Sequence, residues 1–213
     1  MKSLASISGL AAFVVLFAGC ATSSGYKKAG SAFTSLQEAA QGIDNCLVPL
    51  DTVLATLSDL VNNPAEDITL QYQKYSSEVS RLESLSNNVS SHAVAMQEQG
   101  VEYFKKWDNE LAKIQSNDMH TRSLDRKNTV AARFEKVRVS YVQTQARFAP
   151  FMSDLIDIRT ALAMDLTSGG LSSIKGLARE ANDNALPLRQ SLVDLSAEFR
   201  NLGISISPAT PAS

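Results

Sequence analysis

The feature that most constrains this chain is the regular recurrence of apolar residues at every third or fourth position over most of its length. Between Tyr26 and Val61 the apolar positions advance in ten steps across 35 residues, an average of 3.5. Between Ile68 and Ile114 they advance in thirteen steps across 46 residues, an average of 3.54. This period predicts amphipathic helices that pack along a seam, and a value below 3.6 is typical of left-handed supercoiling.

The same pattern continues in the second half of the chain. A third apolar stripe runs from Val130 to Leu162, and a fourth runs from Ile174 to Leu202. No segment alternates with a period of two for long enough to predict a strand. Because short turns between long helices make neighbouring helices antiparallel, the sequence predicts an all-α fold, an antiparallel bundle of three to four long helices with coiled-coil character.

Clusters of turn residues predict where the helices end. Residues 62–64 should stop the first helix, with the second beginning near Pro64 and running for roughly 70 Å. Residues 116–118 should form a turn with a capping residue for the third helix, and residues 168–170 should separate the third helix from the fourth. Gly203 should end the fourth helix.

The N-terminal segment has the anatomy of a secretory signal. Lys2 precedes a charge-free stretch whose apolar centre covers residues 10–18, and small residues follow. The run Leu16-Phe17-Ala18-Gly19-Cys20 resembles the lipobox of bacterial lipoproteins, with Phe17 at the place where Leu is usual. In that family the cysteine sulfur takes a diacylglycerol, the signal is cut before it and the new N-terminus is acylated. The resemblance therefore implies that Cys20 is lipidated.

This interpretation divides the chain into four parts. They are a lipoprotein signal peptide (1–19), the lipidated cysteine and a tether (20–28), a helical bundle domain (29–203) and a disordered tail (204–213). An Asp directly after the cysteine favours the inner membrane in lipoproteins. Ala21 stands there, so the resemblance implies the outer membrane, with the bundle facing the periplasm and the inner membrane as the alternative. The other interpretation of the segment is an uncleaved transmembrane helix, which needs about 20 apolar residues.

The chain has two cysteines, so a lipidated Cys20 would leave Cys46 as the only thiol. A lone cysteine in an oxidising compartment could pair with another chain or react. It could also serve as a small buried hydrophobe, and its place in the helical pattern favours that interpretation.

Composition limits the chemistry open to this chain. A net charge of −2 lacks the basic surplus of a nucleic-acid binder, and two His and two Cys leave little material for a metal site. Neither His92 nor His120 has a companion at ligand spacing, and no nucleophile elbow or phosphate loop occurs. The sequence therefore predicts no catalysis, no cofactor, no metal and no nucleic-acid partner. A hydrolase site assembled from distant helices would instead show strongly perturbed carboxylates in a cleft.

Charge is unevenly distributed along the chain. Residues 51–118 carry 11 acidic and 5 basic side chains, whereas residues 120–147 carry 7 basic and 2 acidic ones. Folding the second helix back on the third would bring these oppositely charged segments together. Since an exposed pair is worth only a few tenths of a kcal/mol, this would select an orientation rather than supply stability. The basic stretch could instead bind an anionic surface, at about 1 kcal/mol per charge.

Aromatic and basic residues in the second and third helices are the candidates for contact with a partner. Trp107, the only Trp, lies on the apolar stripe beside Tyr103, where it would be a core anchor or, alternatively, a platform for a ligand. The candidate interaction residues are Tyr103, Trp107, Arg122, Arg126, Lys127 and Arg133.

Across residues 26–200 the arrangement is similar to an uncharacterised family of bacterial coiled-coil lipoproteins, described only as a domain of unknown function. The matching features are Phe104-x-x-Trp107-x-x-Glu110-Leu111, the Arg-rich start of the next helix and the Phe148-x-Pro150 bend. Where that family tends to have Lys-His-Asn-Leu, residues 161–166 read differently here. The resemblance implies no activity, and we expect a cell-envelope scaffold or interaction protein whose partners are the membrane, through the lipid, and an envelope protein or a second copy. The alternative is a carrier or sensor that binds an apolar ligand between helices.

Overall fold

The computed structural model describes residues 23–206, with side chains from residue 32 onward, and these residues form four long α-helices. The helices are α1 (Ser23–Asn62), α2 (Thr69–Leu111), α3 (Asn117–Met164) and α4 (Ser168–Ile206). None of residues 23–206 lies in a β-strand. The prediction of an all-α bundle is confirmed, with four helices. At 1.5 Å per residue, the 43 residues of α2 span about 65 Å.

The helices run up and down, and each packs against two neighbours. α1 packs against α2 and α4, and α3 packs against the same two helices, whereas the diagonal pairs make no close backbone contact within residues 23–206. Ser35 of α1 donates to Gln99 of α2 near one end of the bundle, and Gln71 of α2 donates to Asp59 of α1 near the other. The order of these two bonds shows that α1 and α2 are antiparallel.

The bundle therefore has two distinct ends. We call the end that holds the start of α1 and the α2–α3 connection the proximal end. The end that holds the α1–α2 connection (63–68) and the α3–α4 connection (165–167) is the distal end. Within residues 23–206, no helix contains an apolar stretch that could cross a bilayer.

The core lies along the central axis and consists of the four apolar stripes. All stripe residues from 32 onward are buried or half-buried. The largest fully buried side chains are Tyr75, Phe151, Phe199, Ile43, Leu50, Leu60, Leu82, Leu155, Ile158, Leu162, Leu188 and Leu195. Full burial of one such side chain stabilises the folded state by about 1.5–3 kcal/mol. The hydroxyl of Tyr75 donates to the carbonyl oxygen of Leu155 at 2.7 Å, so this buried polar group joins α2 to α3.

The prediction that the second helix begins near Pro64 is wrong, because α2 begins at Thr69. Side chains hold the connection in a non-helical form. The Asp67 carboxylate accepts from the backbone N–H of Thr69 at 2.9 Å, and Gln71 bonds to both the Ala65 N–H and the Asn63 carbonyl.

The predicted break at 168–170 is displaced, because α3 ends at Met164 and α4 already begins at Ser168. The Thr167 hydroxyl accepts from the Gly170 N–H at 3.3 Å, which caps the first turn of α4. A Cβ atom at Gly170 would lie 1.9 Å from the carbonyl oxygen of Asp165. Glycine is therefore required here by the close approach of the chain, and not as a helix breaker.

The capping residue predicted within 116–118 is present, since Ser116 is the N-cap of α3 and its side chain accepts from the Met119 N–H, whereas residues 117 and 118 already lie in the helix. The outer boundaries differ from the expected ones. α1 begins at Ser23, within the segment 20–28 that we expected to form a tether, and α4 continues through Gly203 to Ile206. The predicted signal peptide (1–19) and the tail residues 207–213 lie outside the described residues.

Candidate functional site

Four aromatic side chains cluster near the proximal end, between α2 and α3. Tyr103 packs edge-to-face against Phe104 and Trp107, with ring centroids 5.4 and 5.5 Å apart. Phe104 packs in the same way against Phe134 of α3, at 5.7 Å. Edge-to-face pairs of this kind add about 0.5–1.5 kcal/mol to the energy of burial. The proximal aromatic cluster, as we call these four residues, therefore holds α2 against α3.

Trp107 is half-buried and has a partner for its polar edge. Its indole Nε1 donates to the Ser123 hydroxyl of α3 at 3.1 Å. Tyr103 is also half-buried, and burial raises the pKa of its hydroxyl while the nearby Arg126 guanidinium lowers it. The structure thus places both predicted aromatic residues in the α2/α3 seam, where only part of each ring reaches solvent.

A small apolar cavity of about 20 Å³ lies behind the proximal aromatic cluster and is lined by residues of all four helices. Its lining includes Leu36, Met96, Tyr103, Phe134 and Leu202. A cavity needs roughly 10–15 Å³ to hold one water molecule, and apolar cavities stay dry. This space is too small for an organic ligand without movement of the helices.

The four basic candidates on α3 do not form one patch, because their partners lie in different directions. Arg122 pairs with Asp118 one turn earlier, at 3.0 Å. Lys127 pairs with Asp108 of α2. Arg126 donates to the backbone carbonyl of Ser205 on α4. Arg133 is exposed and makes no ion pair or side-chain hydrogen bond within residues 32–206.

The expected attraction between an acidic second helix and a basic third helix is present only in part. Lys127–Asp108 is one such pair. Arg159 also pairs with Glu83 of α2, at 3.7 Å, but it lies outside the basic stretch 120–147. Lys136 instead pairs with Glu198 of α4 at 3.0 Å, and Arg138 pairs with Glu135 of its own helix at 2.7 Å. Apolar packing and the short connections therefore account for the orientation of α2 and α3 more than these charges do.

Only one of the two cysteines lies within the described residues. Cys20 lies outside the described residues. Cys46 is buried, with 2 % of its surface exposed, and its thiol donates to the Gly42 carbonyl of its own helix. Burial raises the pKa of this thiol to about 11, so it behaves as a small hydrophobe with an unreactive thiol.

A slot of about 60 Å³ lies between α2 and α3 at mid-height, and α1 and α4 also contribute to its lining. Ser86 and Ser90 line it from α2, and the buried Thr144 and half-buried Tyr141 line it from α3. Residues 86–91 of α2, which are polar apart from Val89, therefore correspond to a local gap in the seam. Sequence reasoning missed this feature, although the loss of large apolar residues in this run was a signal for it.

Sequence reasoning also missed an open groove of about 420 Å³ between α1 and α4 at the distal end. Buried or half-buried apolar side chains form its floor, namely Leu54, Leu57, Val61 and Ala178. Exposed polar side chains form its rim, namely Ser58, Asn62, Lys175, Arg179 and Asn182. We call it the α1/α4 groove. The spacing of Lys175, Arg179 and Asn182, which places them on one face of α4, was the available signal.

Within residues 32–206, no group of three or more His, Cys, Asp or Glu side chains is arranged to hold a metal ion. His92 is exposed on α2, and His120 is half-buried in the first turns of α3.

The family model described as "Protein of unknown function (DUF2959)" matches residues 18–196. Its span includes Cys20, the proximal aromatic cluster and the α1/α4 groove. No curated protein and no solved structure matches the chain significantly. Because the model covers most of the chain, the protein belongs to this family of unknown function, DUF2959.

Proposed function

We propose that the protein is a lipid-anchored, periplasm-facing scaffold or interaction module of the bacterial cell envelope, with no catalytic role of its own. The membrane would be the outer membrane, with the inner membrane as the alternative. Cys20 would carry the lipid. The observation that carries the proposal is the lipobox-like run ending at Cys20, directly ahead of a rod of four helices whose first helix begins at Ser23.

The lipid supplies the physical basis for stable attachment. One acyl chain holds a protein only marginally at a membrane, whereas two or more chains anchor it stably. A triacylated Cys20 would meet this requirement. Only residues 21 and 22 separate Cys20 from α1, so the proximal end of the bundle would lie close to the membrane surface.

The packing of the interior supports an interaction role over the alternative of a carrier. An apolar carrier needs an enclosed pocket, and ligand pockets typically measure about 300–1,000 Å³. The apolar cavity beside Tyr103 measures about 20 Å³. The larger α1/α4 groove is open and carries a Lys and an Arg on its rim.

Among the candidate contact residues, the exposed ones suit a partner best. Arg122, Arg126 and Arg133 are exposed near the proximal end, whereas Lys127 is largely covered by its pairing with Asp108. We therefore propose that these three arginines contact an envelope partner or lipid headgroups, and that Trp107 supports the seam beneath them.

Cell fractionation of a Cys20→Ala variant tests the anchor. We expect the wild-type chain to sediment with membranes and to remain there after an alkaline wash, and the variant to become soluble. Cys46→Ala is the matched control, because it removes the other, buried cysteine and should leave sedimentation unchanged. Mass spectrometry of the mature chain should show acyl groups on Cys20. Continued sedimentation of Cys20→Ala after the wash would contradict lipidation and support an uncleaved span.

A further inference from the structure

The α1/α4 groove lies beyond two ion pairs that join the two helices. Asp44 of α1 pairs with Arg200 of α4, and Asp51 pairs with Arg189 at 3.0 Å. On α1 the next position at the same seven-residue spacing is Ser58, which lies on the rim of the groove. An acid at this third position of α1, where the groove opens, is therefore missing.

Two basic residues of α4, Lys175 and Arg179, lie on the rim of the groove opposite Ser58. Lys175 lies one turn before Arg179 on the same face. Within residues 32–206, neither Lys175 nor Arg179 makes an ion pair or a side-chain hydrogen bond. The Ser58 hydroxyl accepts instead from the Asn62 amide, at 3.0 Å.

The floor of the groove offers an apolar surface beside these two cations. Leu54 and Val61 are half-buried on α1, and Ala178 on α4 is too small to fill the space opposite them. An apolar side chain could lie on this floor while a neighbouring carboxylate reaches the rim. Charge-assisted bonds from Lys and Arg to a carboxylate are stronger than neutral ones, and the concave floor would strengthen them by limiting access of water.

The remainder of this chain does not supply the missing acid. Residues 1–22 and 207–213 contain no Asp or Glu. A flat membrane surface is a poor fit, because it would meet the rim of a concave groove and leave its apolar floor uncovered. A segment of a protein carries both a carboxylate and an apolar side chain in a narrow shape that can enter the groove.

We propose that the α1/α4 groove is the docking site for an acidic segment of a partner protein, with a carboxylate bound by Lys175 and Arg179 and an adjacent apolar side chain on the floor. This deepens the interaction role proposed above and rests on it for its biological setting. The binding itself does not require the lipid. The groove lies at the distal end, far from Cys20, so the partner would be met well away from the membrane.

Fluorescence anisotropy with the purified full-length protein tests the proposal. The probe is a short labelled peptide rich in Glu and Leu, and the comparison peptide has Gln in place of every Glu. We expect saturable binding of the acidic peptide that weakens with salt, and binding at least about tenfold weaker for the Gln peptide. The double variant Lys175→Glu/Arg179→Glu should weaken binding to a similar extent.

Two further variants separate a specific site from general attraction. Lys105→Glu/Lys113→Glu makes the same change in net charge with two exposed residues nearer the proximal end, and it should alter binding by less than about twofold. Ser58→Asp places the missing acid beside the groove. It should pair with Arg179 and weaken peptide binding while leaving the far-ultraviolet circular dichroism of the helices intact.

Several results would overturn the proposal. One is equal weakening by the groove variant and the control variant, and another is unchanged binding in Ser58→Asp. Loss of self-association in Lys175→Glu/Arg179→Glu would assign the groove to a second copy, and loss of binding to phosphatidylglycerol vesicles without peptide binding would assign it to lipid. The outcome is independent of the anchor. If Cys20→Ala stays on membranes while the groove still binds the peptide, the lipid anchor fails and the docking site stands.

Discussion

Replacing Gly100 with Ala tests whether α2 and α3 approach each other as closely as the proximal aromatic cluster requires. Gly100 is buried on α2, and a Cβ atom there would lie 2.2 Å from Cζ of Phe134 on α3. Carbon atoms in contact are normally about 3.5–4.0 Å apart, so the ring would have to move by more than about 1 Å. The Phe134 ring is packed edge-to-face against Phe104, which limits where it can go.

The size of the effect follows from two opposing contributions. Alanine is favoured over glycine inside a helix by about 1 kcal/mol, which alone would stabilise the variant. Forcing an extra methyl group into a buried contact costs about 1–3 kcal/mol. We therefore expect Gly100→Ala to lower the free energy of unfolding by about 1 kcal/mol. With Phe134→Ala already present the clash is gone, and the same change should raise it by about 1 kcal/mol, a coupling of about 2 kcal/mol.

Urea denaturation followed by circular dichroism at 222 nm measures these differences. Gly176→Ala is the matched control, because Gly176 is also helical and a Cβ atom there meets no atom within 4 Å. It should stabilise the protein by up to about 1 kcal/mol in either background. If Gly100→Ala stabilises the wild-type protein as much as Gly176→Ala does, Phe134 does not lie against Gly100 and the described α2/α3 seam is wrong.

Two other predictions concern single groups. In the Cys20→Ala protein, iodoacetamide at pH 8 should modify Cys46 slowly in the folded state and rapidly in urea, because burial raises the pKa of this thiol to about 11. Rapid modification under native conditions would refute its burial. Burial, and then the nearby Glu180 and Asp157 carboxylates, raise the pKa of Asp154. Ionisation of Asp154 therefore destabilises the folded state, and this destabilisation grows as the pH rises through the range in which carboxyl groups titrate. Asp154→Asn should therefore raise the urea midpoint at pH 7 and not at pH 3, where the carboxyl is protonated in both states; equal shifts at both pH values would show that charge is not the cause.

The helical faces were predictable from the sequence because burial repeats with the period of the helix. Leu82, Leu155 and Phe199 were placed on apolar stripes by spacing alone, and all three are fully buried. The four-helix bundle follows from those stripes and from the short connections, since each stripe can be covered only by its neighbours.

The helix boundaries and the partners of polar side chains were less predictable, because they depend on single contacts. Pro64 appeared to start the second helix, but Asp67 and Gln71 stabilise a loop up to Ile68. Gly169 and Gly170 appeared to break the chain, but they lie in the first turn of α4. A one-dimensional pattern does not distinguish a glycine that ends a helix from one that permits close contact.

The α1/α4 groove could not be predicted from the sequence for a different reason. It depends on which side chains of α1 and α4 face each other, and a single helix pattern does not show this. Ser58 is unremarkable on α1, and Arg179 is an ordinary exposed cation on α4. Their significance appears only when Asp44–Arg200 and Asp51–Arg189 fix the alignment of the two helices and show an acid missing at the next position.

The shape of the bundle relates the lipid anchor at Cys20 to the α1/α4 groove under the proposed function. From Ser23 to Ser58, α1 rises by about 53 Å, so an anchor at Cys20 and a docking site at the α1/α4 groove would be held apart by a stiff rod. In an up-and-down bundle, each added heptad lengthens the rod by about 10 Å while extending the same seam. Such a fold can hold a binding site at a defined distance from the membrane, whereas a protein that stores a ligand needs an enclosed interior. The interior cavities of about 20 and 60 Å³ are small for a stored ligand, and the open distal groove fits a binding site held away from the membrane.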